Sequence, residues 1–377
     1  TNGIHDSKKT KPRMRLQKII NILEEMAPLA YAEDFDNVGL LVGNQEEEIT
    51  GILVCHDALE SVIDEAISKK CNLVVCFHPI LFSGLKKITG KNYVEKAVIK
   101  AIKNDIAIYA AHTNLDNVLE GVNQKIAQKL SLKNIQILEP KKGLLKKLYT
   151  YIPLSHTEIV RTALFEVGAG NIGKYSECSF KVSGEGTFKG NADTNPFVGE
   201  KGKLQVEKED KVEFIFPAYL ERSLLKKLFE VHPYEEVAYE IITLDNYHQE
   251  IGSGVIGELE TPMNTMEFLK RLKIQMQTPL VRYTAPIQEK IQKVAICGGA
   301  GSFLLNAAIA RKADVFITGD FKYHQFFDAD GQIVIADIGH FESEQFTIEL
   351  FYEILIKKLP NFALYLTKVI TNPVKYI

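Results

Sequence analysis

The chain has 377 residues, which suggests two or three domains of ordinary size, and its 46% apolar and 25% charged content is that of a soluble globular protein with sizeable cores. Forty-five Lys and Arg against 48 Asp and Glu leave a formal charge of -3. That argues against nonspecific binding to nucleic acid or to a membrane surface, both of which need a strong basic excess; nor does any apolar run approach the ~20 residues of a membrane span.

From Met14 onward strand and helix patterns alternate. Residues 15–27 place Leu16, Ile19, Ile20, Leu23 and Met26 at helical spacing, and Pro28 ends the helix. Apolar runs at 52–55, 73–77 and 106–110 predict strands, separated by amphipathic helices at about 59–70, 92–104 and 121–130. The runs are continuously apolar rather than alternating, so both faces are buried and helices should flank the sheet. Between about 146 and 248 the order changes to strand (148–152), helix (157–167), strand (175–183) and a Gly-rich turn at Gly184-Glu185-Gly186. Strands at 203–206 and 211–216, a helix (218–231) and a strand (237–243) follow. That order is close to a βαββαβ ferredoxin-like module. The last stretch repeats the first, with strands at 294–297, 315–317 and 333–336 and helices at about 302–312, 322–328 and 342–358.

The expected fold class is therefore α/β, with two similar α/β halves at 14–145 and 250–377 and the ferredoxin-like module inserted at 146–249. Gly143 and Gly252-Ser253-Gly254 mark the seams. Residues 1–13 are polar and basic and lack the apolar segment of a secretory signal; they read as a disordered arm or an expression remnant. The five cysteines form no CxxC pair and fit small buried hydrophobes in a reducing compartment, hence the cytoplasm.

Histidines and carboxylates gather just beyond the apolar strands. His78-Pro79 closes the 73–77 run, His112-Thr113-Asn114-Leu115-Asp116 follows 106–110, and Gly339-His340-Phe341-Glu342-Ser343-Glu344 follows 333–336. In open α/β sheets ligands collect outside the carboxyl ends of strands, so these groups could converge on one crevice. Positions i and i+4 share a helix face, which lets His340 and Glu344 grip one ion. Imidazole with carboxylate is the donor set of zinc, manganese or iron, and enough such groups are present for two cations sharing a carboxylate. The plainer alternative is a set of histidines capping strand ends. Gly298-Gly299-Ala300-Gly301-Ser302 reads as a tight turn with Ser302 capping a helix, in preference to a phosphate loop, because the GxGxxG spacing is missing. Thr318-Gly319-Asp320 is either a carboxylate supporting the site or another helix cap. In the inserted module, His232-Pro233-Tyr234-Glu235-Glu236 either binds something at an interface or is only a helix-to-strand turn.

Together, Asp36-Asn37-Val38-Gly39-Leu40, His78-Pro79, His112 to Asp116, Thr318-Gly319-Asp320 and Gly339 to Glu344 resemble the YbgI/YqfO-like (Nif-three-like) family of GTP cyclohydrolase type 2 homologues, in its long bacterial form with a PII/CutA-like insertion. The resemblance runs from Met14 to the C-terminus. It implies two halves around a dinuclear metal site and a toroidal homohexamer. It also implies His78, Asp116, His340 and Glu344 as metal ligands, with Glu344 bridging. His112 is added from the likeness of the two halves, as a ligand, a supporting group or an acid–base group. One departure is clear: members usually carry two adjacent histidines before the proline, and here the first is Phe77. A phenylalanine cannot ligate, so one metal position should lose a ligand, leaving one or two divalent ions per chain.

The leading functional expectation is a metal-dependent hydrolase acting on a nucleotide-like small molecule, with His112 or Asp320 shuttling protons. The alternative is a noncatalytic metal-binding scaffold or regulator whose inserted module senses a ligand or partner. A ring that threads DNA is a third reading, which the net charge does not favour.

Overall fold

A computed structural model describes residues 13–377, so the arm expected at 1–13 lies, but for Arg13, outside the described residues. The chain divides into two compact units: residues up to Glu139 together with Ile251–Ile377, and Pro140–Glu250.

In the first unit a five-stranded sheet runs in the order Leu364–Leu366, Ile52–Asp57, Leu73–His78, Ala107–Ala110, Gly39–Val42. The first four strands are parallel and the last is antiparallel. Ile52 to Cys55 and Leu73 to Phe77 are fully buried, as continuous apolar runs demand. Helices Glu60–Lys69 and Tyr93–Lys103 cover one face through Val62, Ile63, Ala66, Ala97, Val98 and Ala101. Asn92 caps the second of these by accepting from the Glu95 amide at 2.9 Å. Register positions what matters later: Cys55 pairs with Cys76, so Asp57 lies beside His78 at the carboxyl ends of neighbouring strands. Cys76 pairs with Ala110, which brings His112 to the same edge.

A six-stranded sheet in the same unit has the order Arg282–Tyr283, Val334–Asp337, Val315–Gly319, Lys290–Ala300, Tyr247–Asn264, Lys133–Lys142. Its strands Lys290–Ala300, Val315–Gly319 and Val334–Asp337 are parallel. Ala295, Cys297, Phe316, Ile333 and Ile335 pack with Leu304, Leu305 and Ala308 on one side.

Pro140–Glu250 holds a four-stranded antiparallel sheet ordered Tyr239–Leu244, Leu145–Pro153, Gln205–Pro217, Ser179–Phe188. Along the chain its elements run strand, helix, strand, strand, helix, strand, the helices being Thr157–Glu166 and Glu221–Val231. Val212, Phe214 and Phe216 alternate inward and meet Val160, Leu164, Leu224 and Leu228 from the helices.

Several element readings need correction. The strands expected at 203–206 and 211–216 are one strand, Gln205–Pro217. Gly184-Glu185-Gly186 is not a turn but lies inside strand Ser179–Phe188. A Cβ on Gly186 would meet a Glu209 carboxylate oxygen at 2.2 Å, so glycine there makes room for a side chain of the neighbouring strand. The helix expected at 342–358 is two, His340–Glu344 and Thr347–Lys358. That at 322–328 is a 3-10 helix, Tyr323–Ala329, and that at 302–312 shortens to Ser302–Leu304 (3-10) and Leu305–Ala310. Among the described residues no helix is long and apolar enough to cross a membrane, and no disulfide forms; Cys55, Cys71, Cys76 and Cys297 are buried thiols.

Candidate metal centre

Strand ends build the site. His78 is the last residue of Leu73–His78, His112 precedes the single turn Thr113–Asp116, and His340 and Glu344 open and close the short helix His340–Glu344. The ligand atoms of His78, His340 and Glu344 all lie within 4.8 Å of one another. Glu344 Oε2 accepts from His78 Nε2 at 3.1 Å and from His340 Nε2 at 3.2 Å. Asp116 and His112 fall outside that tight group but border it. The His112 and His78 rings meet edge to face with centroids 5.3 Å apart, and the His78 and His340 rings are 5.7 Å apart.

Each imidazole is held from behind by a carboxylate. Asp57 Oδ1 accepts from His78 Nδ1 at 2.9 Å, Asp320 Oδ2 from His340 Nδ1 at 2.6 Å, and Asp36 Oδ1 from His112 Nδ1 at 3.0 Å. A proton fixed on Nδ1 leaves Nε2 as the ligating nitrogen and locks the ring, the usual support of a metal-bound histidine. Asp36 also accepts from the Thr113 amide and hydroxyl; these bonds and the His112 bond overcome the effect of burial and lower its pKa to about 2.

The electrostatics fit a cation. Burial acts against protonation of His78, but hydrogen bonds to Asp57 and Glu344 outweigh it and raise its pKa to about 10. The bond to Glu344 is the main cause of a rise to about 9 for His340. The two imidazoles in turn hold the buried Glu344 carboxyl well below its ordinary value. Two protons thus stand where a divalent cation would bring two positive charges. Burial, with the nearby Glu344 charge, raises the pKa of Asp116, and Asp116 Oδ1 is buried with no hydrogen-bond partner among the described residues. A buried acceptor without a donor costs about 1–3 kcal/mol unless something satisfies it, and a divalent ion would. Imidazole and carboxylate suit zinc, iron or manganese.

Phe77 is fully buried, with its ring 4.9 Å from that of His78 and edge-on to His112 at 5.2 Å. It contributes hydrophobic wall where the sequence departure removed a donor.

Neighbouring segments serve the centre in ways the motifs did not announce. Gly298 and Gly299 lie in strand Lys290–Ala300 and are not a turn. A Cβ on Gly299, whose φ is +64°, would stand 2.3 Å from Glu344 Oε1. The amides of Gly298, Gly299 and Gly301 donate to Asn123, Ser343 and Thr318, which leaves none of the three for a phosphate. Ser302 accepts from Gln325 and does not cap the helix. Of the two readings of Asp320, support of His340 holds; the cap of the following 3-10 helix is Lys322. Asp57 and His56 were missed. His56 Nε2 donates to the Glu344 carbonyl at 2.9 Å, and burial keeps that ring neutral by lowering its pKa. Both directly follow the apolar run 52–55, as strand-end residues should, but only the strand register sets Asp57 beside His78.

A cavity of about 420 Å³ opens beside the centre, lined by His78, His340, Asp320, Arg282, Asn372 and Tyr376 among others. The C-terminal segment forms part of its wall, tied down by a Thr371 hydroxyl bond to Asp57 and by Asn372 Nδ2 donating to Glu342 at 3.0 Å. If the rear carboxylates orient the ligands, Asp57→Asn and Asp320→Asn should each weaken zinc or manganese binding about 10–100-fold while leaving the fold intact. Titration calorimetry on chelator-stripped protein reads this, and unchanged affinity in both would remove the supporting role.

Strand-end histidines backed by carboxylates, with a shared buried glutamate, define an α/β protein with a candidate metal centre. The chain belongs to the Duf34/NIF3 (NGG1p interacting factor 3) family, whose model matches residues 14–373. It is 39% identical over 327 residues to a GTP cyclohydrolase 1 type 2 homolog of Bacillus subtilis (strain 168), covering 86% of this chain and 88% of that one. A protein of the same description from Staphylococcus epidermidis is 35% identical over 367 residues, covering 96% and 100%. The crystal structure of a Bacillus cereus protein related to NIF3 superposes with a TM-score of 0.83 at 35% identity, covering 98% of this chain and all of that one.

Proposed function

We propose that this chain is a metal-dependent hydrolase acting on a nucleotide-like substrate, with His78, His340 and Glu344 holding one divalent cation. Asp116, with His112 beside it, would complete a second position bridged by Glu344. The observation that carries the reading is the convergence of two carboxylate-backed imidazoles on one buried glutamate oxygen. The orphaned Asp116 Oδ1 supports the wider ligand set. A bound divalent cation supplies Lewis acidity toward a substrate oxygen or an attacking water. The chain's own residues do the rest. Arg282, half-exposed in the cavity wall and paired with Asp337, offers its guanidinium to an anionic group of the substrate. Asp320 lines the same cavity and holds the His340 Nδ1 proton, so it is placed to pass a proton between solvent and the ring.

The same reading takes 14–145 and 250–377 as two α/β halves of one metal-binding unit, and 146–249 as an inserted ferredoxin-like module. It takes the assembly as a homohexamer of a cytoplasmic protein. The run of parallel strands within each sheet of one unit and the strand order of the other support the division, and the buried thiols suit the compartment. Phe77 favours a second reading, a metal-binding scaffold without turnover, because the second position is short of a donor.

Metal-loaded protein incubated with GTP, other nucleotides and phosphoesters decides between the two. Turnover that disappears in Glu344→Gln while the oligomer mass stays unchanged supports hydrolysis. No formate, pterin precursor or phosphate from any substrate would end the hydrolase reading and leave the scaffold.

A further inference from the structure

The metal centre makes no use of His232-Pro233-Tyr234-Glu235-Glu236. This segment follows helix Glu221–Val231 in the Pro140–Glu250 unit, beside a separate cavity of about 390 Å³. His232 is buried and fixes the segment: its Nε2 donates to the Tyr151 carbonyl at 2.9 Å and its Nδ1 accepts from the Tyr234 amide at 3.1 Å. Both nitrogens being committed, the ring is neutral and has a structural task. Tyr234, set in place this way, donates its hydroxyl to Glu209 Oε1 at 2.7 Å. Glu235 accepts from the Asn195 amide at 2.8 Å, which closes the 189–204 loop against the segment.

Two features of this cavity point to its ligand. One is Glu209, only 9% exposed, whose other carboxylate oxygen nestles where Gly186 lacks a side chain. Among the described residues no Lys, Arg or His forms an ion pair with it. Its sequence neighbour Asp210 makes a useful contrast, for it faces elsewhere and is fully served by Lys181, Ser183 and Thr157. A nearly buried carboxylate with a phenol as its partner still lacks a compensating positive charge. The other feature is aromatic. Phe188 and Phe197 flank Tyr234 with centroids 6.1 and 6.3 Å away and planes inclined by 56° and 49°, and Tyr151 adds a fourth ring to the lining. Rings beside a carboxylate bind a cation through their electron-rich faces while its apolar substituents displace water. The lining carries three carboxylates, Glu209, Glu235 and Glu236, against the single ammonium of Lys189, so a phosphate or carboxylate ligand would meet a wall of net negative charge. The volume is that of a small-molecule site.

We propose that this cavity binds a small organic cation, an ammonium group carrying apolar substituents, with Glu209 as counter-charge and Phe188, Phe197 and Tyr234 as the aromatic walls. This site stands apart from the metal reading and does not depend on it.

The probes are choline and butylammonium, each compared by titration calorimetry on the full chain with its neutral counterpart, 3,3-dimethylbutan-1-ol and butan-1-ol. At least one cation should bind saturably, about tenfold or more tighter than its neutral partner. Glu209→Gln, which keeps an acceptor for Tyr234, should weaken that binding about tenfold or more. Phe197→Ala, at an exposed wall position where little folding energy is at stake, should weaken it several-fold. Melting temperature and bound-metal content should stay unchanged in both variants. The proposal falls if neither cation binds, if the neutral partners bind as well, or if Glu209→Gln binds like the parent protein.

Discussion

Replacing Glu344 with Gln should reduce divalent-metal affinity by about a hundredfold or more, beyond the 10–100-fold expected for the supporting carboxylates. Glu344 is the single anion in the group whose ligand atoms lie within 4.8 Å, and its Oε2 serves both His78 and His340. Gln has almost the same shape and fits the space that Gly298 and Gly299 leave, so the backbone should hold. Removing one partner from a buried ion pair commonly costs about 3–5 kcal/mol because the other charge is stranded. Here the cost should be smaller, since each stranded imidazolium can shed its proton and become neutral. The substitution should therefore separate ligation from folding. Elemental analysis of protein purified without chelator gives metal per chain, and histidine titration by NMR should show His78 and His340 falling back toward an ordinary imidazole pKa near 6.5. Equal metal content in the two proteins would remove Glu344 from the ligand set.

Parts of this centre were legible in the sequence because strand geometry converts local pattern into position. A continuously apolar run must be a buried strand, and the polar residues that end it must emerge together at the carboxyl edge of a parallel sheet. That logic singled out His78, His340 and Glu344, whose ligand atoms the fold brings together, and also His112 and Asp116, which lie outside that tight group. It did not find Asp57, because Asp57 matters only through its register with His78 on the neighbouring strand, and pairing between strands is not written in either alone. Asp36 sat inside a recognised motif yet had no visible task, since its partner His112 is 76 residues away. Helix lengths failed for a related reason. The apolar spacing at 342–358 is helical throughout, but the chain must break near Gln345 so that His340 and Glu344 can face the site while Phe351 and Leu355 face the core. The glycines were misread as turns at both places where their role was to lack a side chain: Gly186 beside Glu209, and Gly299 beside Glu344.

Stability and metal affinity should respond to pH in opposite senses. In the metal-free protein His78 and His340 titrate at about 10 and about 9, against about 6.5 in an unfolded chain. The folded state therefore holds protons that the unfolded state has already released. The stabilisation is fully present below pH 6.5 and is lost as pH rises through 9 to 10. Asp116 acts with the same sign at lower pH, because burial and the Glu344 charge raise its pKa, so folding there too favours the protonated form. A divalent ion competes for the same nitrogens, so loading near neutral pH must expel about two protons, and affinity should climb with a slope approaching two decades per pH unit before levelling above pH 10. Melting curves of chelator-treated and metal-loaded protein should thus diverge steadily from pH 6.5 upward. Lysines and tyrosines also titrate toward pH 10, so the quantity to measure is the difference between the parent protein and Glu344→Gln, in which the two imidazoles lose their shared anion. A metal affinity independent of pH between 6.5 and 9, or a metal-free melting temperature that changes with pH alike in both proteins, would mean that these histidines do not face the cation.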